Sequence, residues 1–209
     1  MAKRSAATAA CMGRKYFSGN YYAAFRLTFA ALLQDPAMKT KTCQQSATVM
    51  TQLVMPNDTN PLGNLMGGNL LKWMDVASSI SAAKHSGSQV VTAAVDNVSF
   101  ERAIRQGDVV TIIAKVTRTF NTSMEVHLEV HTQSFGDEVK HKSNEAFYTF
   151  VALDNGHRPK SAPPVKPETE REKELYAGAL RRRQLRLILA GRMHPDDADE
   201  LRNLFIKPQ

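Results

Sequence analysis

From residue 46 onward the chain moves between two apolar periodicities. The segment SATVMTQLVMP has the alternating, β-branched character of a strand and ends at Pro56. Residues 57–67 are irregular and rich in Asn, Asp, Pro and Gly. From Gly68 to about His85 the pattern fits one helix, roughly 27 Å long at 1.5 Å per residue. Its first half carries Leu70, Leu71, Trp73 and Met74. Its second half, VASSISAAKH, is almost all small side chains, which lets a sheet approach closely. Gly87 stops it, glycine being the residue that most readily turns left-handed after a helix.

Four strands are predicted next, over 90–100, 109–120, 123–132 and 145–154. In SMEVHLEVHT the alternation is strict. Met124, Val126, Leu128 and Val130 should face the interior, and Glu125, His127, Glu129 and His131 the solvent. EAFYTFVALD is apolar nearly throughout and suits a buried central strand. One strand, one long helix and four further strands predict an α+β fold: a five-stranded antiparallel sheet against a single helix. After Asp154 the stretch NGHRPKSAPPVKPETE has a linker's composition. ETEREKELYAGALRRRQLRLILAGR then predicts an amphipathic helix with acids first and arginines last, as the helix dipole favours. Arg181-Arg182-Arg183 is expected on its solvated face, and HPDDADELRNLF should form a second short helix.

Charge changes the picture by its location. The net +7 divides into +6 over residues 1–45, −3 over 46–155 and +4 over 156–209. The patterned core is therefore acidic, which argues against a nucleic-acid-binding domain. A hydrophobic content of 43% supports one packed core, and no apolar run is long enough to predict a membrane helix. Residues 1–37 have no acid before Asp35 and read as an N-terminal extension or a mitochondrial-type targeting segment. The expected organisation is an extension (1–37), one domain (38–155), and a linker with a helical tail (156–209). Cys11 and Cys43 offer neither metal spacing nor a disulfide framework, which suits a reducing, cytoplasmic setting.

Candidate chemistry lies in NDTNPLGNLMGGNLLKWMD, residues 57–75. Gly63 and Gly68 have the spacing of a phosphate loop, but Asn69-Leu70 stands where Lys and Ser or Thr are needed. What remains is a glycine pair, Gly67-Gly68, at a helix N-terminus. Unpaired N–H groups and the positive dipole end there can receive a polarised oxygen. Between Asp58 and Lys84 the only charges are Lys72 and Asp75. A lysine reaches water along its stem, whereas an aspartate cannot. Asp75 is therefore either a general base carrying a desolvation cost or a residue on an exposed strip.

The run VMPNDTNPLGNLMGGNLLKWMDVASSISAAKH, followed by VVTAAVDNVSFERAIRQGDVV, resembles the hotdog-fold acyl-CoA thioesterases. It is most similar to the bacterial acyl-CoA hydrolases related to the mammalian brain cytosolic enzyme. The loop, the glycine pair, the helix aspartate and the F-x-x-x-I-x-x-GD-V run from Phe100 to Val109 occur together in order. The resemblance spans residues 46–155 and extends into the basic C-terminal helix. It implies a hotdog fold, with the sheet wrapped around the helix. It implies a dimer with a continuous sheet as the minimum assembly, and a hexamer built as a trimer of dimers. The implied reaction is hydrolysis of fatty acyl-CoA to free fatty acid and CoA, within fatty acid metabolism.

The resemblance assigns catalysis to Asn60 of one domain and Asp75 of its partner. Gly68, with Gly67 beside it, supplies the oxyanion site, and Asp58 is a second loop candidate. Contacts to coenzyme A are expected from Gly67, Asn97, Ser99, Arg102, Arg118, Thr122 and Ser123, with Arg105 a further phosphate partner. It implies no metal and no cofactor beyond the coenzyme A of the substrate. A non-catalytic acyl-CoA- or lipid-binding protein on the same fold is the alternative. A hydratase would need a catalytic histidine near the helix, where only His85, at the far end, is available.

Overall fold

The computed structural model describes residues 38–96, 98–100 and 102–203; the predicted extension 1–37 and Asn97 lie outside them. The strands are β1 (Lys41–Thr42), β2 (Thr48–Leu53), β3 (Gln89–Asp96), β4 (Val109–Thr119), β5 (Ser123–Gln133), β6 (His141–Leu153) and β7 (Val165–Lys166). The helices are α1 (Gly67–Ser86), α2 (Glu170–Leu189) and α3 (Asp199–Arg202). Each of the five long strands and the long helix overlaps its predicted segment, although β3 ends at Asp96, short of the predicted 100.

The long strands form one antiparallel sheet in the order β2-β4-β5-β6-β3. β2 and β3 flank α1 in sequence yet occupy opposite edges, so α1 carries the chain across one face of the sheet. Met124, Val126, Leu128 and Val130 are fully buried there, as their alternation predicts. They pack with Leu70, Met74, Ala77 and Ala82 of α1. The small residues in the second half of α1 let it lie close, and Ser78 returns its hydroxyl to Met74 O at 2.6 Å. This arrangement is the hotdog fold.

Two strand expectations need correction. β5 is the central strand, with β6 beside it. β6 also begins at His141 rather than 145, because Lys142 and His141 continue the ladder opposite His131 and Thr132. Backbone pairing does not depend on side-chain polarity, so apolar pattern alone cut this strand short.

The outer face of the sheet departs further from expectation. Glu125 and His127 are only 1% and 7% exposed, because α2 crosses over them. Glu172 lies 3.9 Å from Lys115 of β4, and Arg186 pairs with Asp96 of β3. Between these ends Arg182 donates Nε and Nη2 to the two Glu125 oxygens at 3.0 and 2.7 Å. It also stacks 3.8 Å over the Phe147 ring. Gly178 makes room, since a Cβ there would come within 2.7 Å of Arg182 Nη1. The middle arginine of the triplet therefore neutralises a buried carboxylate and does not sit on a solvated face.

The predicted linker is likewise part of the wall. β7 pairs in parallel with β1, and Ala162 and Val165 join the core. Thr169 caps α2 through a reciprocal box with Glu172.

Candidate active site

The loop before α1 is built by its own side chains. Asp58 accepts the Met55 N–H at 3.1 Å, and Asn60 Oδ1 accepts the N–H groups of Leu62 and Asn64 at 2.9 and 3.2 Å. That is the Asx-turn role for which asparagine is suited. Gly63, at φ 72°, supplies the left-handed residue the turn needs. The turn uses the carbonyl end of Asn60 and leaves its Nδ2 as a donor. Asn69 Nδ2 donates to Asp58 O at 3.2 Å and ties the loop to the first turn of the helix.

The glycine pair follows. A Cβ on Gly67 would stand 3.2 Å from the Phe100 ring, so glycine lets the helix start lie close against that ring without displacing it. No side chain caps this terminus. The N–H groups of Asn69 and Leu70 return to Met66 O. Those of Gly67 and Gly68 have no partner among the described residues, as geometry requires at an uncapped start.

Asp75 lies about two turns further along the same face of α1, its side chain tilted back toward the N-terminus. It is half-buried, and its Oδ1 accepts the hydroxyl of Thr92 on β3 at 2.7 Å. Tyr148 OH donates to Leu71 O at 3.3 Å. Burial and the nearby Asp75 charge push the Tyr148 phenol up to about 12, so it stays protonated. Gly68, Leu71, Asp75, Val95, Phe100 and Tyr148 line an apolar cleft of about 500 Å³. A second cleft of about 390 Å³ meets it at Phe100 and takes in Asn64, Gly67 and Arg102.

The candidates named from sequence thus separate into groups. Gly67, Gly68, Asp75 and Arg102 line these two clefts, whereas Asn60 lines neither. Ser99 follows β3 nearby, and its carbonyl accepts from Asn144 Nδ2. Arg105 turns at the loop, its N–H donating to Asp108 Oδ2 at 2.8 Å. Thr122 and Ser123 belong to the β4–β5 hairpin, which reaches the other end of α1: Thr119 Oγ1 is 3.3 Å from His85 Nε2. Arg118 lies under α2, stacked on Tyr176 and Phe120. Asn97 lies outside the described residues.

Sequence reasoning missed Thr92 and Tyr148. Each reaches the site from a strand distant in sequence, and neither residue type stands out in a β pattern. His85 is fully buried, burial lowers its pKa, and Nε2 donates to Pro163 O at 2.8 Å. It does not face the cleft, which removes the base a hydratase would need.

Comparisons with known proteins agree with this geometry. A model of the thioesterase superfamily matches residues 62–137. Acyl-coenzyme A thioesterase 11 of Mus musculus is 42% identical over 144 residues, 68% of this chain but 24% of its own length. The chain thus spans about a quarter of that relative. A hexameric acyl-CoA thioesterase superposes with a TM-score of 0.71 at 38% identity, over 73% of this chain and 98% of its own. An acyl-CoA hydrolase from Staphylococcus aureus, solved with butyryl coenzyme A and coenzyme A, gives 0.69 at 34% identity, over 73% and 95%. Variants of that hydrolase with one aspartate, one asparagine or one threonine replaced by alanine have also been solved.

Proposed function

This chain belongs to the hotdog-fold acyl-CoA thioesterases, and we propose that it hydrolyses fatty acyl-CoA to free fatty acid and coenzyme A. One observation carries this: a helix carboxylate, oriented by Thr92, shares an apolar cleft with the uncapped glycine end of the same helix. The positions replaced in the S. aureus hydrolase add support. Their asparagine, aspartate and threonine are separated by the same two intervals as Asn60, Asp75 and Thr92.

Each group then has a task. Thr92 holds Asp75 Oδ1 and leaves Oδ2 free to take a proton from the attacking water or to attack the acyl carbon itself. The Gly67 and Gly68 N–H groups receive the oxyanion, a contribution of about 3 kcal/mol for one good donor. The protonated Tyr148 lines the same cleft as the carboxylate, and this apolar cleft receives the acyl chain. Arg102, in the adjoining cleft, is placed for a phosphate of coenzyme A. Hydrolysis by these groups calls for no cofactor.

Asn60 completes the site from a second copy. Among the described residues β3 is an edge strand, and Val76, Ile80, Val91 and Val95 around its edge are each 41–47% exposed. An open edge beside an apolar stripe is an aggregation hazard unless it is covered. A dimer paired along β3 covers both, and a hexamer of such dimers matches the assembly of the hexameric relative. Cytoplasmic fatty acid metabolism is the setting this reading fits, and the buried free thiol of Cys43 is in keeping with it.

The test is complementation. Asp75→Ala and Asn60→Ala should each lose most CoA release, in kcat more than KM, with the fold intact. Co-expressed, they should recover roughly a quarter of wild-type activity, because about half the dimers are mixed and each has one complete site. No recovery in mass-verified mixed dimers would remove the shared site. Binding of acyl-CoAs from acetyl to palmitoyl with no CoA release by the wild type would mean a lipid-binding protein instead.

A further inference from the structure

The outer face of the sheet holds a second cluster that the hydrolytic cleft does not use. His127, Glu129 and His131 occupy alternate positions of β5, so they project to one side. Glu145 of β6 stands opposite Glu129 in the strand register. One ligand-capable atom from each of His127, Glu129 and Glu145 lies within 4.8 Å of the other two. His127 Nε2 is 2.5 Å from Glu145 Oε1, and His131 Nε2 reaches Glu129 Oε2 at 3.5 Å from the flank. Above them, between the sheet and the start of α2, a cleft of about 480 Å³ takes in His127, Glu129 and Arg171.

We propose that His127, Glu129 and Glu145 bind one divalent transition-metal ion of the zinc type, with water in the fourth position and His131 orienting Glu129. One imidazole and two carboxylates on fixed strands are a donor set for a borderline dication. Around a tetrahedral ion with bonds of about 2.1 Å, neighbouring ligand atoms stand roughly 3.4 Å apart. The present spacings bracket that figure, so side-chain rotation of about an ångström completes the site. His127 Nε2 now donates to Glu145 Oε1, so ligation through Nε2 takes the neutral ring with its proton on Nδ1. The adjoining cleft gives an ion a route in.

The competitors are Lys142 and Arg171. Lys142 Nζ lies 2.6 Å from Glu145 Oε2 and 3.7 Å from Glu129 Oε1, and Arg171 Nη2 lies 3.4 Å from Glu145 Oε1. Their side chains are 41% and 58% exposed, so both can swing into water when a dication takes the carboxylates. Bound there, the ion would clamp β5 to β6 beneath α2, remote from the hydrolytic cleft.

Chelator-treated full-length protein, titrated with Zn²⁺ by calorimetry and with Co²⁺ by visible absorption, tests this. The expected result is one ion per chain, a dissociation constant on the order of 10 µM and a higher Tm at saturation. Glu145→Gln and His127→Gln should each weaken uptake at least about tenfold. Lys142→Met should tighten it several-fold, since it removes the resident cation, an effect no purely structural ion-pair network would give. His194→Ala, in the C-terminal tail, should change nothing. If His127→Gln fails to fold, the more exposed Glu145→Gln decides. Absence of saturable uptake below about 100 µM overturns the proposal. Uptake unchanged in Glu145→Gln, or not tightened in Lys142→Met, overturns it equally.

Discussion

The two faces of one sheet solve burial in opposite ways. The inner face of β5 presents Met124, Val126, Leu128 and Val130 to α1, and every one is fully buried. The outer face presents Glu125 and His127 to α2, and they are almost as deeply buried. On the inner side removal of apolar area from water supplies the stability, and it depends on volume more than on identity. On the outer side nothing is gained until each charge meets its partner in good geometry. The inner face therefore holds the fold, while the outer face decides where α2 must lie.

Breaking one charge partner should have the largest effect on this contrast. Arg182→Ala leaves Glu125 buried without its cation and is expected to cost about 3–5 kcal/mol. Urea unfolding measures it, and a loss under about 1 kcal/mol would mean that α2 is only loosely docked. Replacing both partners, Glu125→Leu with Arg182→Leu, should restore most of that loss, because two matched apolar groups need no pairing.

On the inner face a comparable loss should arise with no possibility of such rescue. Met74→Ala, at a fully buried position, should cost roughly 2–5 kcal/mol by the lost contact and the cavity left behind. A second inner truncation should deepen it.

Smaller effects sharpen the comparison at the ends of α2. Thr169→Ala removes the hydroxyl that accepts the Glu172 N–H at 3.2 Å and should cost about 1 kcal/mol. If the helix were an undocked tail, the global transition would not move.

The pH dependence should be gentler still. Burial lowers the pKa of both His85 and His127 from 6.5 in the folded chain. Below pH 6.5 the unfolded state therefore binds more protons than the folded one, and stability falls with falling pH. Above about pH 7 neither group contributes any slope. Tm should decline between pH 7 and 5.5, and His127→Gln should flatten part of that decline. A Tm that rises on acidification over this range would contradict it.

Some features were legible because they are local. Alternation along β5, the small-residue run in α1 and the glycine after it each follow from residue type and neighbours. Asp75 stood out for a related reason: a carboxylate among the apolar residues of a long helix conflicts with its local pattern. Gly67 and Gly68 were visible as a helix start, although only the fold shows that the Phe100 ring packs against Gly67.

What the sequence by itself determined, then, was the set of elements, their order and the one helix carboxylate out of keeping with its surroundings. Tertiary structure decided which faces of those elements are buried. Glu125 reads as solvent-facing because alternation reports which side of a strand a residue is on, not what covers that side. Arg182 reads as solvated until 57 residues of separation are closed by the fold. Thr92 meets Asp75 only when an edge strand is laid beside α1, and His127 and Glu145 meet only through β5–β6 pairing. Local periodicity is set by backbone geometry and can be read from one segment alone. Partnership between charges depends on distances that no single segment contains.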